Sequence, residues 1–188
     1  MPSCIKGTGI KIFLDWLSEI LPVEEQAKLF AKLKGEAKEL ASGTIFASSN
    51  YSYNLYGEIL ESCADYFGDD YAARAESHGA YAADRLMTTI YRCALKAGDV
   101  AETLRALAVG WRFYFDTGAI NLREVDQGHF VYEINDSHYH PLHPPISAGY
   151  LKRGCEMAGA KDVRIQIEGV PPVVKIAIFW KAERGGAE

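Results

Sequence analysis

Apolar residues recur at helical spacing through the first two thirds of the chain. The first such stripe, at i, i+3 and i+4 positions, consists of Ile10, Phe13, Leu14, Leu17 and Leu21. This pattern is typical of an amphipathic helix with one face in the core. Proline, glycine, serine, asparagine and aspartate then punctuate the sequence, as they do at helix caps and loops. Four further helices are therefore predicted, at residues 23–40, 51–68, 71–98 and 100–118.

From residue 119 onward, apolar positions alternate with polar ones, which is the pattern of half-buried strands. The segment 126–128, Asp-Gln-Gly, predicts a hairpin turn between the first two strands. The side chains expected to face the core are Phe130, Tyr132 and Ile134 in the second strand and Val163, Ile165 and Ile167 in the third. The predicted strands are 119–125, 128–136, 162–169 and 170–181, with a helix at 144–160 between the second and the third.

These elements predict a single α+β domain over residues 1–188. N-terminal helices (7–118) pack on a C-terminal antiparallel sheet (119–182) of about four strands, in the order β-β-α-β-β. The formal net charge is −5, so the basic face that nucleic-acid binding requires is not expected. No stretch reaches the roughly 18 apolar residues of a membrane span, and the N-terminus lacks a signal-peptide pattern. We therefore expect a cytoplasmic protein with no nucleic-acid partner and no transmembrane segment.

Three of the five histidines lie within six positions, beside Asp136 and among prolines. His138 and His140 would face the same way along a strand, and imidazole nitrogen is a common zinc ligand. The prolines turn the chain away from the sheet, so the direction of His143 does not follow from the spacing. Two interpretations stay open: a metal site formed by all three histidines, or a strand that ends in a polar loop. The loop is the favoured one.

His78 lies in the middle of the predicted helix 71–98, beside a stripe of small residues at Ala75, Gly79 and Ala82. Such a stripe lets another helix or a ligand lie close to the backbone. A helical histidine in this position is either an axial haem ligand or a polar residue at a helix–helix contact. The second interpretation is favoured, because no other haem signature accompanies it.

Aromatic residues are concentrated near residues 51–56 and 111–115. At helical spacing they usually form core, and their number also suits an apolar pocket for a small hydrophobic ligand. The motifs of serine hydrolases, P-loop proteins and zinc peptidases are absent, so the sequence favours a non-enzymatic domain. The residues expected to line the pocket are His78, Ala82, Leu86, Tyr53, Tyr56, Trp111, Tyr114, Phe130 and Tyr132.

Four segments together resemble a known superfamily, the ligand-binding domains of nitric-oxide signalling and Golgi transport. It includes the haem-based H-NOX sensors, the 4-vinyl-reductase domains and the Bet3-like subunits of the TRAPP tethering complex. Within it, the chain is most similar to an uncharacterised family of paralogous myxobacterial proteins. The segments that carry the resemblance are GTGIKIFLDWL (7–17), GWRFYFDTGAINL (110–122), SAGYLKRGCEMAGAKDVRIQI (147–167) and IAIFW (176–180).

The resemblance implies helices on an antiparallel sheet, with a cavity between them that holds haem, a lipid chain or another small molecule in relatives. It also implies dimerisation through helices. The H-NOX proximal histidine would align near residues 88–98, which contain no histidine. The H-NOX Tyr-x-Ser-x-Arg motif would align near residues 134–142, which contain neither its tyrosine nor its arginine at that spacing.

The hypothesis from the sequence is a non-enzymatic, homodimeric domain that binds a small hydrophobic ligand in an apolar pocket and signals through it. One alternative is a haem or metal sensor that uses His78 or the histidines at 138, 140 and 143. The other is a protein–protein interaction scaffold without a ligand. The sequence does not identify a cofactor, and haem is expected only under the sensor alternative.

Overall fold

The computed structural model describes residues 3–181 and has the mixed helix and sheet architecture predicted from the sequence. Residues 1–2 and 182–188, which include the last residue of the predicted sheet part, lie outside the described residues. The helices are α1 (Gly7–Ile20), α2 (Val23–Ala31), α3 (Gly35–Ser42), α4 (Tyr53–Phe67), α5 (Tyr71–Met87), α6 (Val100–Gly110) and α7 (Pro144–Met157). The strands are β1 (Cys4–Lys6), β2 (Asn50–Ser52), β3 (Ala119–Asp126), β4 (His129–Asn135), β5 (Lys161–Val170) and β6 (Val173–Lys181).

Three predicted helices are shorter than expected. The segment 23–40 divides into α2 and α3 at Gly35, whose φ of 48° is left-handed and favours glycine. The segment 71–98 leaves the helix after Met87, where Thr88 and Thr89 donate hydrogen bonds to the carbonyl oxygens of Asp84 and Arg85. Threonine side chains that bind the backbone in this way compete with helix continuation.

The third shortened helix is α6, which ends at Gly110 and continues as a 3₁₀ turn over Trp111–Phe113. The indole N–H of Trp111 donates to the carbonyl oxygen of Thr117 at 3.1 Å, and Gly118 follows with a φ of 76°. The short strands β1 and β2 pair antiparallel, with Ile5 opposite Tyr51. Three-residue strands are too short to show a period of two, so the sequence pattern did not predict them.

The main sheet has the antiparallel order β3-β4-β6-β5. Phe130, Tyr132 and Ile134 are all buried on its helix-facing side, as predicted. The prediction that Ile167 faces the core is wrong, since this residue is 42% exposed. The reason is that β5 is an edge strand whose last five residues, 166–170, are all exposed. Among residues 3–181, no helix combines the length and apolar character that a membrane crossing needs.

Helices α5 and α7 cross in close contact at two glycines. A Cβ atom on Gly79 would collide with the backbone of Ile146, and one on Gly149 would collide with the backbone of Glu76. Helix α7 therefore packs against the middle of the small-residue stripe around His78. The packing places one face of α5 against α7 and leaves the next turn of α5, at Ala82 and Leu86, facing a cavity.

Candidate functional site

A cavity of about 350 Å³ lies between α5, α6, α7 and the helix-facing side of β4. This volume lies in the range of roughly 300–1,000 Å³ that is usual for small-molecule sites. The lining side chains within the described part of the chain include no aspartate, glutamate, lysine or arginine. The walls are formed mostly by aliphatic and aromatic side chains, with a few neutral polar groups. The cavity therefore suits a largely apolar ligand.

Seven of the nine predicted pocket residues lie around this cavity: Tyr56, His78, Ala82, Leu86, Trp111, Tyr114 and Tyr132. The other two are elsewhere. Tyr53 is buried beside His143, and its ring packs edge-on against Phe115. Phe130 is buried in the core with its ring stacked on Trp180 at 5.6 Å. Contact between any of the nine residues and a ligand stays a prediction.

His78 presents an unusual polar group to the cavity. Its side chain is 3% exposed, and neither ring nitrogen has a hydrogen-bond partner. The imidazole packs edge-on against Phe13 at 4.8 Å between ring centroids and lies 5.3 Å from Trp16. Burial lowers the pKa of His78 from 6.5 to about 3, so the ring is neutral at physiological pH. A neutral imidazole without a protein partner has a nitrogen lone pair available to a ligand or metal.

A second neutral polar group lies at Tyr114. Its buried phenol oxygen has no hydrogen-bond partner of good geometry, although the phenols of Tyr91 and Tyr150 lie beside it. The rings of Tyr91 and Tyr114 are 5.3 Å apart. Burial raises the pKa of Tyr114 far above its ordinary value, with further contributions from the two neighbouring phenols. The phenol of Tyr114 is therefore uncharged and can take part in a hydrogen bond with a ligand.

His143 also belongs to the cavity wall, although it is not among the nine predicted pocket residues. Its Nδ1 lies 2.5 Å from the phenol oxygen of Tyr53. Burial lowers the pKa of His143 to about 3, and the nearby His78 and His140 add to this effect. The imidazole is thus neutral and held by a hydrogen bond from α4.

The other two histidines of the 138–143 cluster point elsewhere. His138 is exposed, and its backbone N–H donates to the carboxylate of Asp136 at 2.8 Å. His140 lies against Gly57, with its Nε2 3.3 Å from Glu61. Within residues 3–181, no group of three or more histidine, cysteine, aspartate or glutamate side chains could hold a metal ion. The three histidines are therefore not brought together, and the segment is the strand-to-helix connection that the sequence favoured.

Part of the cavity wall comes from helix α7 and escaped the sequence analysis. Ile146, Ser147, Tyr150 and Leu151 present one face of α7 to the cavity. The spacing 146, 147, 150, 151 is that of a helix face, and could have been recognised as such. The spacing alone does not distinguish a helix face packed in the core from one that lines a cavity, because both faces are apolar.

The comparisons with solved structures identify the architecture. An Fe(II) unliganded H-NOX protein from K. algicida superposes with a TM-score of 0.77 at 14% identity, over 96% of this chain and 98% of that one. This chain has the H-NOX fold. An H-NOX protein from S. oneidensis in the Fe(II)NO state gives a TM-score of 0.73 at 11% identity, over 95% and 100% of the two chains. An oxygen-binding H-NOX domain related to soluble guanylate cyclases gives 0.68 at 9% identity, over 98% and 99%.

No protein-family model and no curated protein sequence matches the chain. The H-NOX part of the predicted resemblance is thus confirmed at the level of the fold. The likeness to TRAPP subunits, 4-vinyl-reductase domains and myxobacterial paralogues stays a prediction. The segment 88–98 contributes Tyr91, Cys93 and Ala94 to the cavity wall.

The donor groups of the cavity fit haem iron better than they fit the haem carboxylates. Iron in haem proteins takes a neutral imidazole, a thiolate or a phenolate as its axial ligand, and His78 offers an unpaired neutral imidazole. The haem carboxylates need cations or water, and the described lining contains no lysine or arginine. Exposed arginines Arg92 and Arg112 adjoin the lining residues Tyr91 and Trp111 in sequence. Carboxylates would therefore fit only where the cavity meets solvent.

Proposed function

We propose that this protein is a sensor domain whose cavity binds a haem, with His78 as the residue that would hold its iron. The supporting observation is the unpaired, neutral imidazole of His78 in an apolar cavity of an H-NOX fold. The H-NOX neighbours, one of them in an Fe(II)NO state and another an oxygen complex, favour this sensor alternative over the haem-free hypothesis. A bound haem would supply an iron centre at which a small gaseous molecule can bind.

The protein's own side chains would give that site its selectivity. The rings of Phe13 and Trp16 hold the imidazole of His78 in place, so its lone pair does not have to be ordered on binding. The neutral lining excludes water and charged ligands, which favours uncharged diatomic or small apolar molecules. The phenol of Tyr114, which has no protein partner of good hydrogen-bond geometry, could bond to the ligand. Signalling requires that occupancy bias the packing of α5 on α7, since a ligand shifts an equilibrium only through differential contacts.

The test is reconstitution of the purified protein with haem, followed by absorption spectroscopy. The proposal expects a Soret band with the features of histidine ligation, lost or strongly shifted in His78→Leu. His138→Ala is the matched control, because this exposed histidine lies outside the cavity and should leave the spectrum unchanged. A spectrum unaffected by His78→Leu, or loss of the band in both variants, would contradict the role of His78.

A second candidate function is haem-free binding of a small hydrophobic ligand. It is favoured by the absence of cations in the described lining and by the cavity volume of about 350 Å³, which is near the lower end of the usual range. Native mass spectrometry separates the two candidates, because a haem and a small apolar molecule add different masses. The predicted interaction scaffold without a ligand is disfavoured, since it requires a filled core. Homodimerisation, a signalling role and a cytoplasmic location remain predictions.

A further inference from the structure

Three large apolar side chains are exposed on the cavity lining or next to it in sequence: Val109 and Phe113 line the cavity, and Ile90 precedes the lining residue Tyr91. Ile90 is 61% exposed, Val109 is 72% exposed and Phe113 is 57% exposed. Single exposed apolar residues are common on protein surfaces, whereas contiguous ones mark interaction sites. We call Ile90, Val109 and Phe113, with the exposed Arg92 and Arg112, the mouth surface.

The mouth surface comes from two separate segments that are in contact with each other. The ring of Phe113 stacks on that of Tyr91 with 5.9 Å between centroids, which joins the turn after α5 to the 3₁₀ turn after α6. Val109 and Phe113 also line the cavity, together with the exposed Cys93. The surface therefore surrounds the route by which an apolar molecule would enter.

The charge of these segments opposes that of the whole chain. Residues 88–98 and 109–115 contain Arg92, Lys96 and Arg112 and no acidic residue, while the chain carries a formal net charge of −5. All three cationic side chains are exposed. Exposed apolar groups flanked by arginine and lysine are the combination that inserts into the interface of an anionic bilayer.

We propose that the mouth surface docks on an anionic lipid bilayer, with Ile90, Val109 and Phe113 entering the headgroup region and Arg92 and Arg112 contacting lipid phosphates. In this orientation the cavity opens toward the bilayer, and an apolar ligand passes from the membrane into it without crossing water. This docking does not depend on haem, since the mouth surface is formed by the polypeptide alone.

Vesicle co-sedimentation of the purified full chain tests the proposal. Vesicles of phosphatidylcholine alone are compared with vesicles that also contain phosphatidylglycerol, at low and at physiological salt. Binding to the anionic vesicles should exceed binding to the neutral ones and weaken with salt. The double variant Ile90→Asp with Val109→Asp should lower the bound fraction at least about tenfold.

Val23→Asp is the matched control, because Val23 is 77% exposed on α2 and lies outside the mouth surface. It should bind anionic vesicles as the wild type does, and circular dichroism checks that each variant is folded. Absence of binding to anionic vesicles overturns the proposal, and so does an equal loss in Val23→Asp. Light scattering provides the other decisive outcome. A wild-type dimer that becomes monomeric in the double variant would assign the surface to a second copy of the chain instead.

Discussion

The phenol oxygen of Tyr53 lies 2.5 Å from Nδ1 of His143, and both side chains are almost completely buried. The backbone N–H of His140 also donates to this phenol oxygen, at 3.3 Å. This contact is a short hydrogen bond between two groups that have almost no access to solvent. The pair joins the start of α4 to the start of α7 and fixes one wall of the cavity.

Tyr53→Phe should destabilise the protein by about 1–3 kcal/mol, because it leaves the buried Nδ1 of His143 without its hydrogen-bond partner. Urea unfolding measures the loss. Tyr81→Phe serves as the control, since its hydroxyl bonds to Glu19 in an exposed position, where the effect should stay below about 0.5 kcal/mol. Equal losses of stability in the two variants would mean that the buried hydrogen bond stabilises the protein no more than the exposed one does.

The two buried imidazoles should make the protein sensitive to acid. Burial lowers the pKa of both His78 and His143 from 6.5 to about 3. Between these values the unfolded chain binds a proton on each ring that the folded protein does not, so unfolding takes up protons. Stability is therefore fully present above about pH 6.5 and falls as the pH drops toward 3. Each ring contributes up to about 1.4 kcal/mol per pH unit.

Urea unfolding at pH values from 7 to 4 measures this dependence. His78→Leu removes one of the two groups and should reduce the slope by about 1.4 kcal/mol per pH unit. Phe130→Ala is the control, because it removes a buried side chain that does not titrate and should lower stability without changing the slope. A slope that is the same in His78→Leu as in the wild type would show that carboxylates alone cause the acid sensitivity.

Gly79→Ala should disrupt the crossing of α5 and α7. The new methyl group would collide with the backbone of Ile146, which cannot move without displacing α7. Overpacking of this kind costs about 1–3 kcal/mol or more, and thermal unfolding should show it. Gly110→Ala is the control. Its Cβ would meet only the ring of Phe113, at 4.0 Å, so the helix preference of alanine should leave stability unchanged or slightly raised.

Ala82→Phe should fill the cavity and block ligand uptake while the protein still folds. Ala82 lines the cavity one turn after His78, so a ring there occupies ligand space. Retained haem or bound mass, measured by native mass spectrometry, should fall sharply. Ala72→Phe is the control, because Ala72 is exposed on the same helix. Full ligand retention in Ala82→Phe would exclude this cavity as the binding site.

Phe130→Ala tests whether a predicted pocket residue stabilises the core or contacts the ligand. The side chain is buried against Trp180 and does not line the cavity. Truncation should therefore cost about 3–5 kcal/mol of stability and leave ligand affinity unchanged in the protein that remains folded. Urea unfolding and a ligand titration at low temperature measure the two effects. A loss of affinity at unchanged stability would instead support the predicted contact.

Much of the fold follows from local sequence patterns. The apolar stripe of α1, the alternation along β4 and the Asp-Gln-Gly turn each identify an element, because backbone geometry sets the periods 3.6 and 2. The left-handed φ of 89° at Gly128 is the conformation that such a turn needs from glycine. The prolines at 144 and 145 begin α7 at its first two positions, as their missing N–H groups allow.

The site depends on contacts between segments that are distant in sequence. Periodicity identifies the buried face of a helix but not its neighbour, so it could not separate a core face from a cavity wall on α5 or α7. The three clustered histidines attracted attention through their spacing, yet one side chain is exposed, one lies against α4 and one lines the cavity. The property that makes His78 a candidate ligand is the lack of any hydrogen-bond partner for its ring nitrogens. Whether these nitrogens have a partner depends on all the side chains around them, and those side chains come together only when the helices and strands pack.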